Sequence, residues 1–351
     1  MNLFSFLMNK KFKILFFSYP YIKILNFNLE LLLTKSMNWI SNKSSIYNPT
    51  DTNKKKTLIS TESSIKYFIT QVMASSIMIL TIVMIMAYKS QMIFMILMNS
   101  SLLTKMGMAP FHFWFPEVME GLSWMNCLIM MTWQKLAPMV LIMYNLATPM
   151  FNEIIIVMAM LISSFKSFNQ ISMRKLLTYS SINHMGWMIA SMMINQAIWM
   201  IYLLIYSLIS AMLIWALNAN KIMSLNQMYL IFKNNSHMKL FFSLNFLNMS
   251  GLPPFLGFLP KWMTIEAMIN NNLILLAMMM VLSTMIMIFI YLKISITSLI
   301  MNSSQLTWSL KMNKKKSFYF SLMNFLSLSS IMVSTLIFNL QLTYLENISS
   351  I

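Results

Sequence analysis

Long apolar stretches alternate with short polar connections along most of the chain. Residues 69–87, 194–219 and 273–292 are stretches of roughly twenty residues or slightly more with few or no charges, the length a helix needs to cross the hydrocarbon core of a bilayer. Lipid cannot hydrogen-bond to backbone groups, so helices are expected there rather than open sheets. The pattern predicts an all-α, polytopic membrane protein with about eleven transmembrane helices.

The predicted spans run from the start of the chain almost to its end. They lie near 3–22, 24–41, 64–87, 91–109, 124–146, 150–168, 175–194, 197–217, 239–262, 272–297 and 318–340. We interpret residues 1–351 as one integral membrane domain. Within it, residues 24–146 hold the second to fifth helices, residues 150–297 hold the sixth to tenth, and residues 318–340 form the last.

The positive charge of the chain is concentrated in the connections between spans. A formal net charge of +17 is compatible with phosphate binding. The basic clusters, however, occur in alternate connections between the predicted spans, near 43–56, 166–175, 221–239 and 311–316. These clusters therefore share one face of the membrane, which is the pattern expected for the inner side. We expect long basic loops on that side, contacts with membrane lipids, and no nucleic-acid partner.

Composition narrows the chemistry further. Hydrophobic residues make up 58% of the chain and the mean hydropathy is +0.67, values typical of a membrane protein. Cys127 is the only cysteine and the three histidines are widely separated, so the sequence predicts neither a disulfide nor a metal site. The 43 methionines suggest a gene read with a mitochondrial genetic code.

Two segments interrupt the apolar pattern in the same way. "KMGMAPFHFWFP" at 105–116 and "GLPPFLGFLPKW" at 251–262 share G-x-x-P-F-x-x-x-x-P, repeated 144 residues later. Such interruptions at corresponding positions of two inverted halves point to a transport site. The alternative is a pair of helices that merely end at prolines. The predicted helix breaks are Gly107, Pro110, Pro116, Gly251, Pro253, Pro254 and Pro260.

Lysines at membrane depth are the candidate functional groups. Lys135 lies in the middle of an apolar span, where its ammonium cannot easily reach the membrane surface. Lys105 and Lys261 lie beside the two interruptions. Burial disfavours a charged ammonium and a nearby carboxylate favours it, so such a lysine can load and release a proton. The alternatives are a static buried ion pair at Lys135 and snorkelling at the other two.

Two further titratable residues complete the candidate set. Of the eight acidic residues, Glu30 is the one that falls inside a predicted span away from its ends, although it could instead mark the solvated end of a shorter helix. His184, in "SSINHMGW", is an additional candidate for proton transfer because histidine titrates near physiological pH. The other interpretation of His184 is a hydrogen-bonded packing residue.

Three stretches resemble a known family: "KMGMAPFHFWFPEVMEGLSWMNCLIMMTWQKLAPM" at 105–139, "MRKLLTYSSINHMGWM" at 173–188 and "SGLPPFLGFLPKW" at 250–262. They are similar to the antiporter-like membrane subunits of mitochondrial NADH:ubiquinone oxidoreductase, respiratory complex I. The resemblance implies inverted five-helix repeats and a location in the mitochondrial inner membrane, with the matrix on the inner side. It implies neighbouring membrane-arm subunits, including another antiporter-like subunit, as partners. It also implies no redox cofactor on this chain, since NADH, FMN, iron-sulfur clusters and ubiquinone are used elsewhere in the complex.

The resemblance also implies a charged axis for proton translocation. By motif, its members fall on Glu30, Lys105, Lys135 and Lys261. Quinone reduction elsewhere would then separate or form the Glu30–Lys105 pair, change the proton affinity of Lys135 and pass a proton to Lys261. The competing hypotheses are a free-standing cation/proton antiporter and a scaffold subunit whose buried charges are only structural.

Overall fold

The computed structural model describes residues 51–87, 91–146, 148–232, 236–253 and 255–300. The predicted spans at 3–22, 24–41 and 318–340 lie outside these residues, as do Glu30 and Pro254. The chain divides into two compact units, with the boundary between Pro149 and Met150.

The first unit contains five described helices. They are α1 (Asp51–Ala87), α2 (Gln91–Met106), α3 (Trp114–Gly121), α4 (Trp124–Met131) and α5 (Trp133–Tyr144). The long α1 packs against both α2 and the short α3, and α2 also packs against α5. The Lys66 ammonium of α1 forms ion pairs with Glu62 at 2.7 Å and with Glu117 of α3 at 2.8 Å, which ties α3 to α1.

The second unit contains seven described helices. They are α6 (Pro149–Ser167), α7 (Met173–Ile194), α8 (Gln196–Asn220), α9 (Leu225–Phe232), α10 (Ser236–Ser250), α11 (Phe258–Asn270) and α12 (Ile274–Ile300). Nearly every side chain of α7 from Leu176 to Met192 is buried, because α8, α11 and α12 pack around it. Ser172 and Ser224 form an isolated β-bridge, and no strand occurs among the described residues.

Helices of membrane-spanning length and composition occur in both units. Within the residues that the structure describes, they are Leu58–Ile85, Trp124–Tyr144, Pro149–Ser167, Gln196–Asn220 and Ile274–Leu299. Large apolar side chains such as Leu80, Leu208 and Leu275 are exposed on these helices, as expected for surfaces that face lipid. The prediction of an all-helical, polytopic membrane protein is therefore confirmed for the described part. The count of about eleven helices and the inverted five-helix repeats stay predictions.

Several helix boundaries differ from the sequence prediction. The helix predicted from residue 64 begins at Asp51, in a segment that reads as a polar loop. The span predicted at 239–262 is two helices, α10 and α11, and that at 124–146 is also two, α4 and α5. The break between α4 and α5 lies at Thr132, whose N–H and hydroxyl both donate to the Leu128 carbonyl. Pro138 inside α5 has no N–H to donate to the Gln134 carbonyl and crowds it, which weakens the helix at this point.

Candidate functional site

The first interruption begins at Gly107, directly after α2. Gly107 has a φ of +71°, which L side chains rarely adopt. A Cβ on this residue would also lie 2.8 Å from the Phe115 Cβ. Glycine is therefore required both by the backbone turn and by the close approach of α3.

The carbonyls freed at the end of α2 are satisfied by neutral donors. The Thr104 carbonyl accepts from the Gly107 N–H at 3.2 Å and from the Trp114 indole at 3.0 Å. The Lys105 carbonyl accepts from the Gln71 side chain of α1 at 3.3 Å. Unsatisfied backbone groups are costly away from water, so these contacts stabilise the broken helix at membrane depth.

The second interruption repeats the backbone pattern of the first. Gly251 follows α10 directly and has a φ of +75°. In each case the next helix begins seven residues after the glycine, at Trp114 and at Phe258. Pro116 and Pro260 are each the third residue of that next helix, where a missing N–H costs no intrahelical bond. The peptide bond before Pro110 is cis, and both Pro110 and Pro253 are exposed.

Lys261 lies directly against the second interruption. Its side chain is 7% exposed, and its Nζ donates a hydrogen bond to the Ser250 carbonyl at 2.7 Å. Ser250 is the last residue of α10, where the helix dipole places partial negative charge. A Cβ on Gly251 would lie 2.9 Å from this Nζ. The ammonium thus occupies space that exists because residue 251 has no side chain.

Lys135 lies near the first interruption and inside the protein. It is the third residue of α5, just after the Thr132 break, and it is 2% exposed. Its Nζ lies 5.5 Å from the centroid of the Phe115 ring, within the range of a cation–π contact. Phe115 is the residue that approaches Gly107, so the interruption and the lysine share an aromatic neighbour.

The other predicted residues are placed as follows. Lys105 lies in the last turn of α2 and is partly buried, and α2 packs against α5, which carries Lys135. Glu30 lies outside the described residues, so its pairing with Lys105 stays a prediction. His184 is buried on α7, and its Nδ1 lies 2.9 Å from the Tyr202 hydroxyl.

Sequence reasoning missed several polar neighbours of these residues. Gln134, beside Lys135, donates to the Tyr67 hydroxyl of α1 at 2.5 Å. Tyr202 and Tyr206 of α8 both contact the His184 ring. The spacing of four residues between the two tyrosines places them on one helix face, and this spacing was the feature of the sequence that could have indicated them. In the described part of the chain, no cluster of histidine, cysteine, aspartate and glutamate could hold a metal ion.

These features define a class: a multi-pass helical membrane protein in which buried lysines lie beside interrupted helices. Residues 51–287 match the family described as "NADH:quinone oxidoreductase/Mrp antiporter, TM". NADH-ubiquinone oxidoreductase chain 2 of Anopheles gambiae is 43% identical over 298 residues, which cover 83% of this chain and 87% of that protein. The protein of the same name from Locusta migratoria is 40% identical over 76% of this chain and 80% of that protein.

A solved structure shares the fold. A chain of respiratory complex I from Thermus thermophilus matches with a TM-score of 0.69 and 20% identity, covering 79% of this chain and 68% of that one. At this identity the likeness shows the fold alone. The sequence relatives also show the family, because their identity and coverage are high. The chain belongs to the family of NADH-ubiquinone oxidoreductase chain 2 proteins.

Proposed function

We propose that the chain is a core membrane subunit of NADH:ubiquinone oxidoreductase, complex I, and takes part in proton translocation coupled to electron transfer from NADH to ubiquinone. Its membership of the family supports this function. Because the relatives named as oxidoreductase chains match most of their own length, a free-standing cation/proton antiporter is not favoured.

The observation that carries the proposal is the burial of one lysine beside an interruption in each unit. Lys135 is 2% exposed and Lys261 is 7% exposed. Removing an ammonium from water is costly, and the protein interior offers an aromatic ring near Lys135 and a helix C-terminus at Lys261. A buried ammonium of this kind is suited to a group that gains and loses a proton during turnover.

The residues have separate roles in the proposed path. Lys135 is the group that loads a proton, under the control of charge at Glu30 and Lys105. Lys261 is the later group, whose ammonium the Ser250 carbonyl stabilises when the proton is present. His184 is an additional group of the relay. The segment between each glycine and the next helix is irregular backbone, which membrane proteins tolerate where protein or water lines that segment.

The proposal includes the location and the partners of the chain. The chain resides in the mitochondrial inner membrane with its long basic loops on the matrix side. Its partners are the other membrane-arm subunits, including a neighbouring antiporter-like subunit, and membrane lipids. The chain itself holds no redox cofactor; NADH, FMN, iron-sulfur clusters and ubiquinone react elsewhere in the complex.

The replacement Lys135→Met tests the proposal, since methionine keeps much of the apolar volume and removes the proton-carrying group. In inner-membrane vesicles, we expect the variant complex to assemble and to pump fewer protons per NADH oxidised. The matched control is Lys166→Met, which removes an exposed lysine at the end of α6. Normal proton stoichiometry in the Lys135 variant would instead favour a scaffold role for the chain.

A further inference from the structure

His184 packs against two buried tyrosines in the second unit. His184 lies on α7, Tyr202 and Tyr206 lie on α8, and Tyr291 lies on α12; all four are at most 7% exposed. The three helices pack together, with α7 in contact with the other two. A buried tyrosine needs a partner for its hydroxyl, so the arrangement of these partners is informative.

Two of the tyrosines lie near serines of α7. Tyr206 is close to the Ser181 side chain, and Tyr291 is close to Ser180. Each serine already donates its own proton to a carbonyl three residues earlier, so its oxygen remains an acceptor. Tyr206 and Tyr291 thus lie beside the same turn of α7, next to His184 in sequence.

Tyr202 differs because its hydroxyl meets the imidazole itself. The distance from the hydroxyl to Nδ1 is 2.9 Å, and the two rings meet edge to face with centroids 6.0 Å apart. Tyr206 lies one helical turn further along α8, and its ring packs on the same imidazole with centroids 5.0 Å apart. The hydrogen bond at Nδ1 and the two aromatic rings thus help to hold the imidazole.

A hydroxyl suits a histidine that changes its protonation state. The hydroxyl oxygen can accept a hydrogen bond from Nδ1–H in both the neutral ring and the imidazolium. The contact therefore persists when Nε2 gains or loses its proton, whereas a carboxylate would favour the charged ring. Only the Nε2–H bond of the imidazole forms and breaks, and the tyrosine keeps its own proton.

We propose that Tyr202 is a positioning residue for His184, which fixes the direction in which the ring exchanges its proton in both protonation states. This inference rests on the proposed function, in which His184 belongs to the proton relay. Tyr202 itself carries no proton between sites; it keeps Nδ1 engaged so that proton exchange takes place at Nε2.

A double-mutant cycle on the assembled complex tests the inference. The variants are Tyr202→Phe, His184→Gln and the double replacement, each assayed in inner-membrane vesicles for the rate of proton translocation per assembled complex. Tyr206→Phe is the matched control, since it removes a hydroxyl from the same helix and leaves a ring against the same imidazole. The amount of complex on a native gel normalises every rate.

We expect Tyr202→Phe to lower the rate about two- to tenfold, the effect of losing one orienting hydrogen bond. In the His184→Gln background the same replacement should lower it no further, because a positioning residue acts only through its partner. Tyr206→Phe should lower the rate less than Tyr202→Phe does. A merely structural role for Tyr202 would instead give effects that multiply.

Three results would overturn the inference. An unchanged rate in Tyr202→Phe, beside a lowered rate in His184→Gln, would remove the positioning role and leave the relay intact. Effects that multiply in the double variant would show that Tyr202 acts independently of His184. A normal rate in His184→Gln would remove His184 from the relay and the inference with it, while Lys135→Met would still report separately on the proposed function.

Discussion

The position of the Lys261 ammonium depends on the missing Cβ of Gly251 and on the Ser250 carbonyl. Gly251 provides the left-handed turn that ends α10, and its missing Cβ leaves room for Nζ to reach the Ser250 carbonyl. The last carbonyls of a helix have no intrahelical donors, and a cation is favoured there. The glycine and the lysine therefore act together, although they are ten residues apart and lie on opposite sides of the interruption.

Gly251→Ala should weaken this arrangement. The new Cβ would lie 2.9 Å from Nζ. The alanine would also have to adopt a positive φ, which costs an L residue about 1–2 kcal/mol. We expect fewer protons pumped per NADH oxidised, with a smaller loss in the amount of assembled complex. The control is Gly186→Ala, where the added Cβ meets the flexible Met160 side chain and φ is not positive. Equal effects of the two replacements on proton stoichiometry would contradict the role of Gly251.

At the scale of helices, the two interruptions could be predicted but a third could not. Gly107 and Gly251 carry a repeated pattern of glycine and prolines, and glycine in that setting indicates a turn that no other residue forms easily. The interruption at Thr132 has no such pattern: the apolar run continues through it, and Pro138 lies six residues further on. Proline affects the carbonyl four residues earlier, which here is Gln134 inside α5, so Pro138 does not mark the break at Thr132.

Pro138→Ala should make α5 more regular around Lys135. The alanine N–H can donate to the Gln134 carbonyl, and the ring that crowds that carbonyl is gone. Because Lys135 lies between Thr132 and Pro138, we expect its ammonium to turn on the helix and the rate of proton translocation to fall, without loss of assembled complex. Pro116→Ala is the control, since that proline lies in the first turn of α3. A normal translocation rate in the Pro138 variant would separate the backbone geometry at Pro138 from the function of Lys135.

For the whole molecule, sequence reasoning succeeded where the physical signal is local. Apolar runs of bilayer length gave the helical membrane class, and a charge at mid-span marked Lys135 as buried. It failed where the signal depends on contacts between distant segments. Nothing in the sequence pairs Gln134 with Tyr67, or Lys66 with Glu117, because side-chain partners are set by helix packing. The polar segment at 51–63 became helix, since a continuing helix satisfies its backbone regardless of side-chain polarity.

The orientation of the whole chain in the membrane is the remaining prediction. Helix α7 has 22 residues, about 33 Å at 1.5 Å per residue, so its two ends should emerge on opposite sides of the bilayer. The connection before it carries basic residues on both flanks, at Lys166 and Arg174, and the connection after it, at Asn195, carries none. The positive-inside rule therefore predicts that the first connection lies in the matrix.

Cysteine labelling can check this orientation on the native background, because Cys127 is buried. Asn169→Cys places a thiol at an exposed position in the connection before α7, and Gln196→Cys places one at the exposed first residue of α8, directly after the connection that follows α7. A membrane-impermeant maleimide should label the residue 169 variant in inside-out vesicles and the residue 196 variant in mitoplasts, where the outer face is accessible. The opposite result would invert the chain. Labelling of both variants from one side would mean that α7 does not span the membrane, and the assignment of the basic loops to the matrix would fall with it.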